Sequence, residues 1–152
     1  MTVRIEESAR EALAVEAAAL SDALTDPASR ASYGDLSRAL GAGEVDDALL
    51  PPLEQLLELT LRTGRVRKLH GPLAEAAAVR VYQTTPGGRA IGKALGEVNA
   101  ALIALKGRTL DGVAFSAKGP GVYGLAIDTA DAKLSLEIGP EGVLVRELSV
   151  GE

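Results

Sequence analysis

The chain has 152 residues, enough for one domain or two small ones, and 47% of them are hydrophobic, so a real core can form. It contains no cysteine, which excludes disulfide bonds, thiolate metal sites and a cysteine nucleophile. The net charge of -5 conceals an asymmetry, because residues 1–60 carry -8, residues 61–110 carry +7 and residues 111–152 carry -4. No apolar run reaches the roughly 20 residues that cross a bilayer. The start of the chain lacks the pattern of a secretion signal, and we expect a cytoplasmic protein that does not enter a membrane.

The first half of the chain has the apolar spacing of amphipathic helices. We predict helices at residues 6–24 and 32–40, and a turn or two of helix at 44–50. Another helix begins at Pro51-Pro52, because proline is tolerated at a helix start but not inside a helix. Leucines at helical spacing give this last helix a strong apolar stripe.

Two of these helix starts are predicted from capping boxes, in which a serine is followed three residues later by an acid. Ser8 and Glu11 have this spacing at the start of the first helix. Ser32 and Asp35 have it at the start of the second. Gly43 is among the residues that end the second helix.

Residues 65–88 fit two different structures. Residues 66–69 could be extended, and the alternation of residues 79–82 is typical of a strand. Gly71-Pro72 and the alanine-rich run that follows instead predict a helix at 72–83, which we favour. A clearly patterned helix at 89–106 comes next, and its two glycines, Gly92 and Gly96, would allow close backbone packing.

Four short runs of alternating apolar and polar residues occupy the end of the chain. They predict an antiparallel meander with one apolar face, which the helix at 89–106 covers. Residues 2–5 could add a short strand to this sheet. The predicted fold class is therefore α+β: a helical N-terminal region at 1–88, followed at 89–152 by a helix packed on a four-stranded antiparallel β-meander, with one core shared by both parts.

Three pieces of the sequence resemble parts of winged helix-turn-helix regulators. Residues 32–41 look like the first helix of the helix-turn-helix pair, and residues 53–66 look like the next helix leading into the wing. The run VYQTTPGGRAI at 81–91 is similar to the strand, turn and helix start that follow the wing. The resemblance implies a DNA-binding module with four side chains on or near the wing: Arg65, Arg67, Lys68 and His70.

Residues 62–93, here called the basic segment, hold seven of the sixteen lysines and arginines and the only histidine. This segment either faces a polyanion or protein partner, or neutralises the acidic N-terminal helices inside the fold. The acids of the helical stretch 44–58 disfavour nucleic acid, because they would face phosphate oxygens. The candidate binding residues of the basic segment are Arg62, Arg65, Arg67, Lys68, His70, Arg80, Arg89 and Lys93.

No arrangement of residues is typical of an enzyme, so we predict no catalytic residues and no cofactor. His70 stands alone, whereas a metal site needs several converging ligands. An exposed helix face explains the acids at 44–58 better than a bound cation does.

We therefore predict a non-catalytic interaction or adaptor protein that binds another protein or itself. A homodimer would form through an exposed edge strand or through the leucine-rich helix at 53–61. The alternative is a DNA-binding regulator with a winged-helix-like core that uses the basic segment.

Overall fold

The computed structural model describes residues 1–151 and divides into two compact units, one spanning Met1–Arg89 and one beginning at Ala90. Six α-helices precede a four-stranded antiparallel sheet in the described residues, so the predicted α+β class is confirmed. Within those residues, every helix is too short or too polar to cross a membrane.

The first unit is mainly helical, with two short strands and one 3₁₀ turn. Its elements in chain order are β1 (Val3–Arg4), α1 (Glu7–Ala23), α2 (Pro27–Ala42), β2 (Glu44–Val45), a 3₁₀ turn (Asp47–Leu49), α3 (Leu50–Arg62), α4 (Arg65–His70) and α5 (Pro72–Thr84). The elements that follow are α6 (Pro86–Ile103), β3 (Leu110–Gly119), β4 (Val122–Thr129), β5 (Ala132–Gly139) and β6 (Gly142–Val150).

Helix α2 begins five residues before the predicted start. A carboxylate oxygen of Asp26 accepts the backbone N–H of Ser29 at 2.8 Å, and Pro27 occupies the first helical turn. The predicted capping pair, Ser32 and Asp35, lies inside the helix. The sequence interpretation therefore missed the helix start at Pro27.

The beginning of the chain also differs from its prediction. Glu6 takes the N-cap position of α1 without a side-chain cap, and Ser8 lies inside that helix. Strand β1 does not join the C-terminal sheet. It pairs antiparallel with β2 instead, with Val3 opposite Val45, because both side chains are buried in the core of the first unit.

The part of the basic segment that the sequence left open is helical. Gly64 (φ 69°) and Gly71 (φ 92°) both adopt positive φ angles, and helix α4 lies between them. Residues 66–69 are therefore not extended, whereas the helix predicted at 72–83 is confirmed as α5. The residues that the resemblance put on or near a wing lie on α4, and the resemblance itself stays a prediction.

Helix α6 begins at Pro86, three residues earlier than predicted. The hydroxyl oxygen of the buried Thr85 accepts the backbone N–H of Gly88 at 3.2 Å, which caps the helix. From α3, a carboxylate oxygen of Glu54 accepts the backbone N–H of Gly87 at 2.8 Å. These two acceptors satisfy donors that a helix start leaves unpaired, so residues 86–88 form the first turn of α6.

The apolar stripe of α3 is used inside the first unit. Leu53, Leu56 and Leu57 are at most 1% exposed and pack in the cluster that also contains Leu13 and Leu36. This stripe is therefore not a free surface for the dimer that the sequence suggested through helix 53–61.

The second unit is the predicted helix on a meander. Its sheet has the order β3-β4-β5-β6 with antiparallel neighbours. Val98 and Ala101 of α6 are buried in one cluster with three sheet residues, Ile127, Leu134 and Leu136. The buried apolar residues form one cluster in each unit, and a core shared by both stays a prediction.

Candidate functional site

The first unit contains an open groove of about 500 Å³ between α1, α3 and α4, here called the helical groove. Most of its wall is apolar, and polar or charged side chains stand along it. The lining residues are Glu16, Ala19, Leu20, Ala23, Leu56, Leu59, Thr60, Thr63, Arg65, Lys68 and Leu69.

Two large apolar side chains of this groove are left in contact with water. Leu59 of α3 is 49% exposed and Leu69 of α4 is 54% exposed, whereas Leu56, beside them, is buried. On the α1 side, Ala19 and Ala23 are one helical turn apart and have no bulk beyond Cβ. The groove can therefore receive an apolar surface at close range.

A buried carboxylate is among the residues that line the groove. Glu16 of α1 is 4% exposed, and one of its oxygens accepts a hydrogen bond from Nε of Arg65. The other lies 3.0 Å from Nε2 of His70. Burial alone would raise the pKa of Glu16, but the hydrogen bonds from His70 and Arg65 outweigh it and lower that pKa below its usual value. Glu16 is therefore held as a carboxylate, and it ties α4 to α1.

Cationic groups remain available beside the groove. Arg65 uses Nε for Glu16, its side chain is about half exposed, and its terminal nitrogens keep their donors. Lys68 is exposed and forms no ion pair within residues 1–151. The helical groove thus combines an apolar wall with two positive charges from one helix.

No protein-family model, no curated protein and no solved structure matches this chain. The site is therefore interpreted from its own geometry.

The structure brings only part of the predicted basic set to this groove. Arg65, Lys68 and His70 lie at or beside it. Arg67 bonds Glu75 at 3.2 Å on the neighbouring helix α5, outside the groove lining. Arg62 and Lys93 make no ion pair in the part of the chain that is described.

Arg80 and Arg89 lie away from the groove. Arg80 donates two hydrogen bonds of 2.8 Å to the carboxylate of Glu6, and this pairing lowers the pKa of Glu6 and raises that of Arg80. Arg89 lies 3.6 Å from the sulfur of Met1. The basic segment is therefore partly neutralised within the first unit, since Arg80 pairs with Glu6 and Arg65 with Glu16, and a polyanion or protein partner for its other cations stays a prediction.

Acidic side chains of residues 44–58 accept hydrogen bonds within the first unit. Asp46 accepts the backbone N–H of Leu49 at 3.3 Å, and Glu54 caps α6. Glu58 accepts the hydroxyl of Tyr82 at 3.1 Å, and burial together with this bond raises the pKa of Tyr82. Within residues 1–151 there is no cluster of three histidine or acidic side chains that could hold a metal ion.

The apolar half of the groove was missed in the sequence. Leu59 belongs to the helix whose other leucines form the core stripe, and Leu69 lies inside a basic run. The one sign in the sequence that Leu59 and Leu69 could be exposed was that both lie off the main apolar face. Only the packing of α4 against α3 and α1 places the two leucines in one groove, and Glu16 ties α4 to α1 from 49 residues away in the chain.

Proposed function

We propose that this chain is a non-catalytic interaction protein, and that its helical groove binds an amphipathic helix of a protein partner. The partner helix carries an apolar face for Leu59 and Leu69 and acidic residues for Arg65 and Lys68. The observation that supports this most directly is the presence of two half-exposed leucines and two available cations around one groove.

The shape of the groove favours a helix over a compact ligand. Its volume of about 500 Å³ lies within the range of binding clefts, and it is an open groove between three helices, not an enclosed cavity. A helix placed in an apolar groove buries side chains at positions i, i+3, i+4 and i+7. The small side chains of Ala19 and Ala23 allow such a helix to come close to α1.

The positive charges at the groove favour a partner helix that carries acidic residues. Lys68 forms no ion pair within residues 1–151, and Arg65 has donors left over after its bond to Glu16. A carboxylate on the partner would therefore find charge-assisted hydrogen bonds at the edge of the apolar contact. Basic partners would be repelled there, which gives the groove specificity as well as affinity.

A selection from a random-peptide display library against the whole protein tests this proposal. We expect the enriched peptides to place leucines at helical spacing beside aspartate or glutamate. They should bind the wild-type protein and lose at least tenfold in affinity for Leu69→Asp, because a charge then replaces apolar contact. The matched control is Leu73→Asp, since Leu73 is 81% exposed on α5 and does not line the groove.

Selected peptides without this pattern, or peptides that bind wild type and Leu69→Asp equally, would refute the proposal. Loss of binding in the Leu73→Asp control alone would place the contact outside the groove and would also contradict it. Circular dichroism of both variants verifies that they remain folded.

The DNA-binding alternative stays a prediction, as does a cytoplasmic location. Among the cations that the alternative relies on, Arg65 and His70 contact Glu16, and Arg67 contacts Glu75. These contacts favour a protein partner over duplex DNA, whose binding needs several lysines and arginines directed at phosphates.

A further inference from the structure

Helix α6 has three faces, and one of them is both uncharged and exposed. The first face packs on the sheet, where Val98 and Ala101 are buried. The second face carries the three charged residues of the helix, which follow one another at a spacing of four residues: Arg89, Lys93 and Glu97. The third, here called the uncharged face, consists of exposed residues spaced by three or four along the helix and their immediate neighbours: Gly92, Leu95, Gly96, Asn99, Leu102 and Ile103.

Large apolar side chains of the uncharged face are in contact with water. The exposed fraction is 43% for Leu95, 38% for Leu102 and 68% for Ile103. The glycines beside them are free as well, because an added β-carbon at Gly92 or Gly96 meets no atom of the described residues within 4 Å. A surface helix usually directs polar and charged residues to water, so an apolar face without charge indicates that another surface covers it.

The uncharged face is complementary to a second copy of itself. Asn99 lies at its centre. About one turn before it come Leu95 and Gly96, and about one turn after it come Leu102 and Ile103. In an antiparallel pair of α6 helices, a two-fold axis at Asn99 brings the residues before the centre beside those after the centre of the other helix. Leu95 then contacts Leu102 of the partner subunit, and Gly96 leaves room for the larger Ile103 of the partner subunit.

The polar residue at the centre fits the same arrangement. A side-chain amide carries both donors and acceptors, so two Asn99 side chains that meet on the axis can hydrogen-bond each other. A single asparagine among apolar positions is known to fix the register of paired helices. The three charged residues of α6 lie off this face, so no like charges oppose each other across the contact.

We propose that a second copy of this chain covers the uncharged face, through antiparallel pairing of the two α6 helices across a two-fold axis at Asn99. The interface is self-complementary, as a two-fold contact requires. Its residues belong to the second unit and do not line the helical groove, so this dimer is independent of the function proposed for that groove.

The size of the uncharged face determines how strong this dimer is. The face is about 16 Å long and about 10 Å wide, since a helix rises about 1.5 Å per residue and is about 10 Å across. A standard interface buries about 800 Å² on each partner, which is more than such a face provides. The dimer is therefore weak and reversible, and the dimeric fraction increases with protein concentration by mass action.

The mass of the full-length protein over a range of concentrations tests the proposal. In sedimentation equilibrium from low micromolar to millimolar protein, the wild type should pass from the chain mass towards twice that mass. Ile103→Lys should associate at least tenfold more weakly, because a charge then faces an apolar contact. The matched control is Ala100→Lys, which adds the same charge at an exposed position of α6 outside the uncharged face and should associate as the wild type does.

Single cysteines test the direction of the helices, since the natural chain contains none. Asn99→Cys places both thiols at the axis, so a short bismaleimide linker should join two chains efficiently. Gly92→Cys should not be joined, because in an antiparallel pair the two positions are separated by about 21 Å along the helices.

Three results would overturn the proposal. The first is a wild type that stays monomeric up to millimolar concentration. The second is equal association of Ile103→Lys and the wild type, or equal weakening by Ile103→Lys and Ala100→Lys. The third is cross-linking of Gly92→Cys in place of Asn99→Cys. Circular dichroism verifies that each variant remains folded.

Discussion

The carboxylate of Glu16 connects helix α4 to helix α1. Glu16 is almost fully buried, and it bonds Arg65 at the start of α4 and His70 at its end. A six-residue helix between two glycines has little stability of its own, because isolated short helices are marginal in water. We infer that the position of α4, and with it one wall of the helical groove, depends on Glu16.

Replacing Glu16 by glutamine should lower the free energy of unfolding by about 1–2 kcal/mol at neutral pH. Hydrogen bonds to charged groups contribute about 1.5–3 kcal/mol, and the value is reduced here because Arg65 is half exposed. Urea unfolding measures the difference. The control is Glu11→Gln on the exposed side of α1, which should change stability little.

The stability difference between the wild type and Glu16→Gln should depend on pH. The folded state lowers the pKa of Glu16 below its ordinary value of 4.5, so the unfolded chain binds this proton more readily. The stability that Glu16 contributes is therefore complete above about pH 4.5 to 5, and it is lost as the pH falls through the lower folded pKa. The difference between wild type and Glu16→Gln should shrink in that acidic window. A difference that grows on acidification would contradict this account.

At the scale of elements, the junction between α5 and α6 explains a motif that the sequence presented as a turn. The residues Thr85 to Gly88 lie where one helix ends and the next begins without a loop. A β-carbon at Gly88 would overlap the carbonyl oxygen of Tyr82, and one at Gly87 would come within 2.8 Å of the Glu54 carboxylate. Gly88 is needed for this close approach because its clash is with backbone, whereas the Glu54 side chain can move away from a β-carbon at Gly87. The motif therefore has a structural role in this chain.

Two alanine substitutions in α6 should have opposite effects. Gly88→Ala should destabilise the protein by about 1–3 kcal/mol, because the backbone of α5 must move to make room. Gly92→Ala should stabilise it by about 1 kcal/mol, because alanine favours a helix interior and an added β-carbon there meets no atom within 4 Å. Thermal unfolding of both variants distinguishes these outcomes. Equal effects at the two positions would contradict the described junction.

Gly92 and Gly96 also correct the sequence interpretation. They were expected to allow close backbone packing, yet an added β-carbon at either position meets open space. Glycines one turn apart on a helix indicate close packing only when another backbone lies beside them, and sequence spacing does not reveal the neighbour.

Helix starts were harder to predict than helix existence. The strands of the meander and the helices α1, α3 and α5 were found because alternation and helical spacing are repeated over many residues. The starts of α2 and α6 were missed because Asp26-Pro27 and Thr85-Pro86 resemble the end of one helix as much as the start of the next. Proline fits both roles, so the local sequence alone does not separate them.

At the scale of the whole molecule, the fold class could be read from the sequence and the helical groove could not. The order of patterns, helices first and strands last, is a property of successive segments. The groove combines residues 16–23, 56–63 and 65–69, and its second and third parts are separated from the first by more than thirty residues. The charges of α4 could therefore be predicted from the sequence, whereas the exposure of the leucines beside them could not.

Ion pairs explain part of the charge asymmetry along the chain. The acidic first part and the basic segment of the chain are partly complementary, since Arg80 pairs with Glu6 and Arg65 with Glu16. What remains is a small set of outward cations. Lys68 is the one that lines the helical groove without an ion pair in residues 1–151, so the groove keeps a positive charge although the chain is negative overall.

The central claim is that the helical groove receives an acidic amphipathic helix, and mapping of the contact by NMR tests it most directly. Isotope-labelled full-length protein is titrated with a peptide from the display selection, and backbone amide shifts are followed along the chain. The account predicts that the largest shifts fall in residues 16–23 of α1, 56–63 of α3 and 65–69 of α4. Shifts concentrated in β3 to β6, or on α2, with the groove unchanged would contradict it.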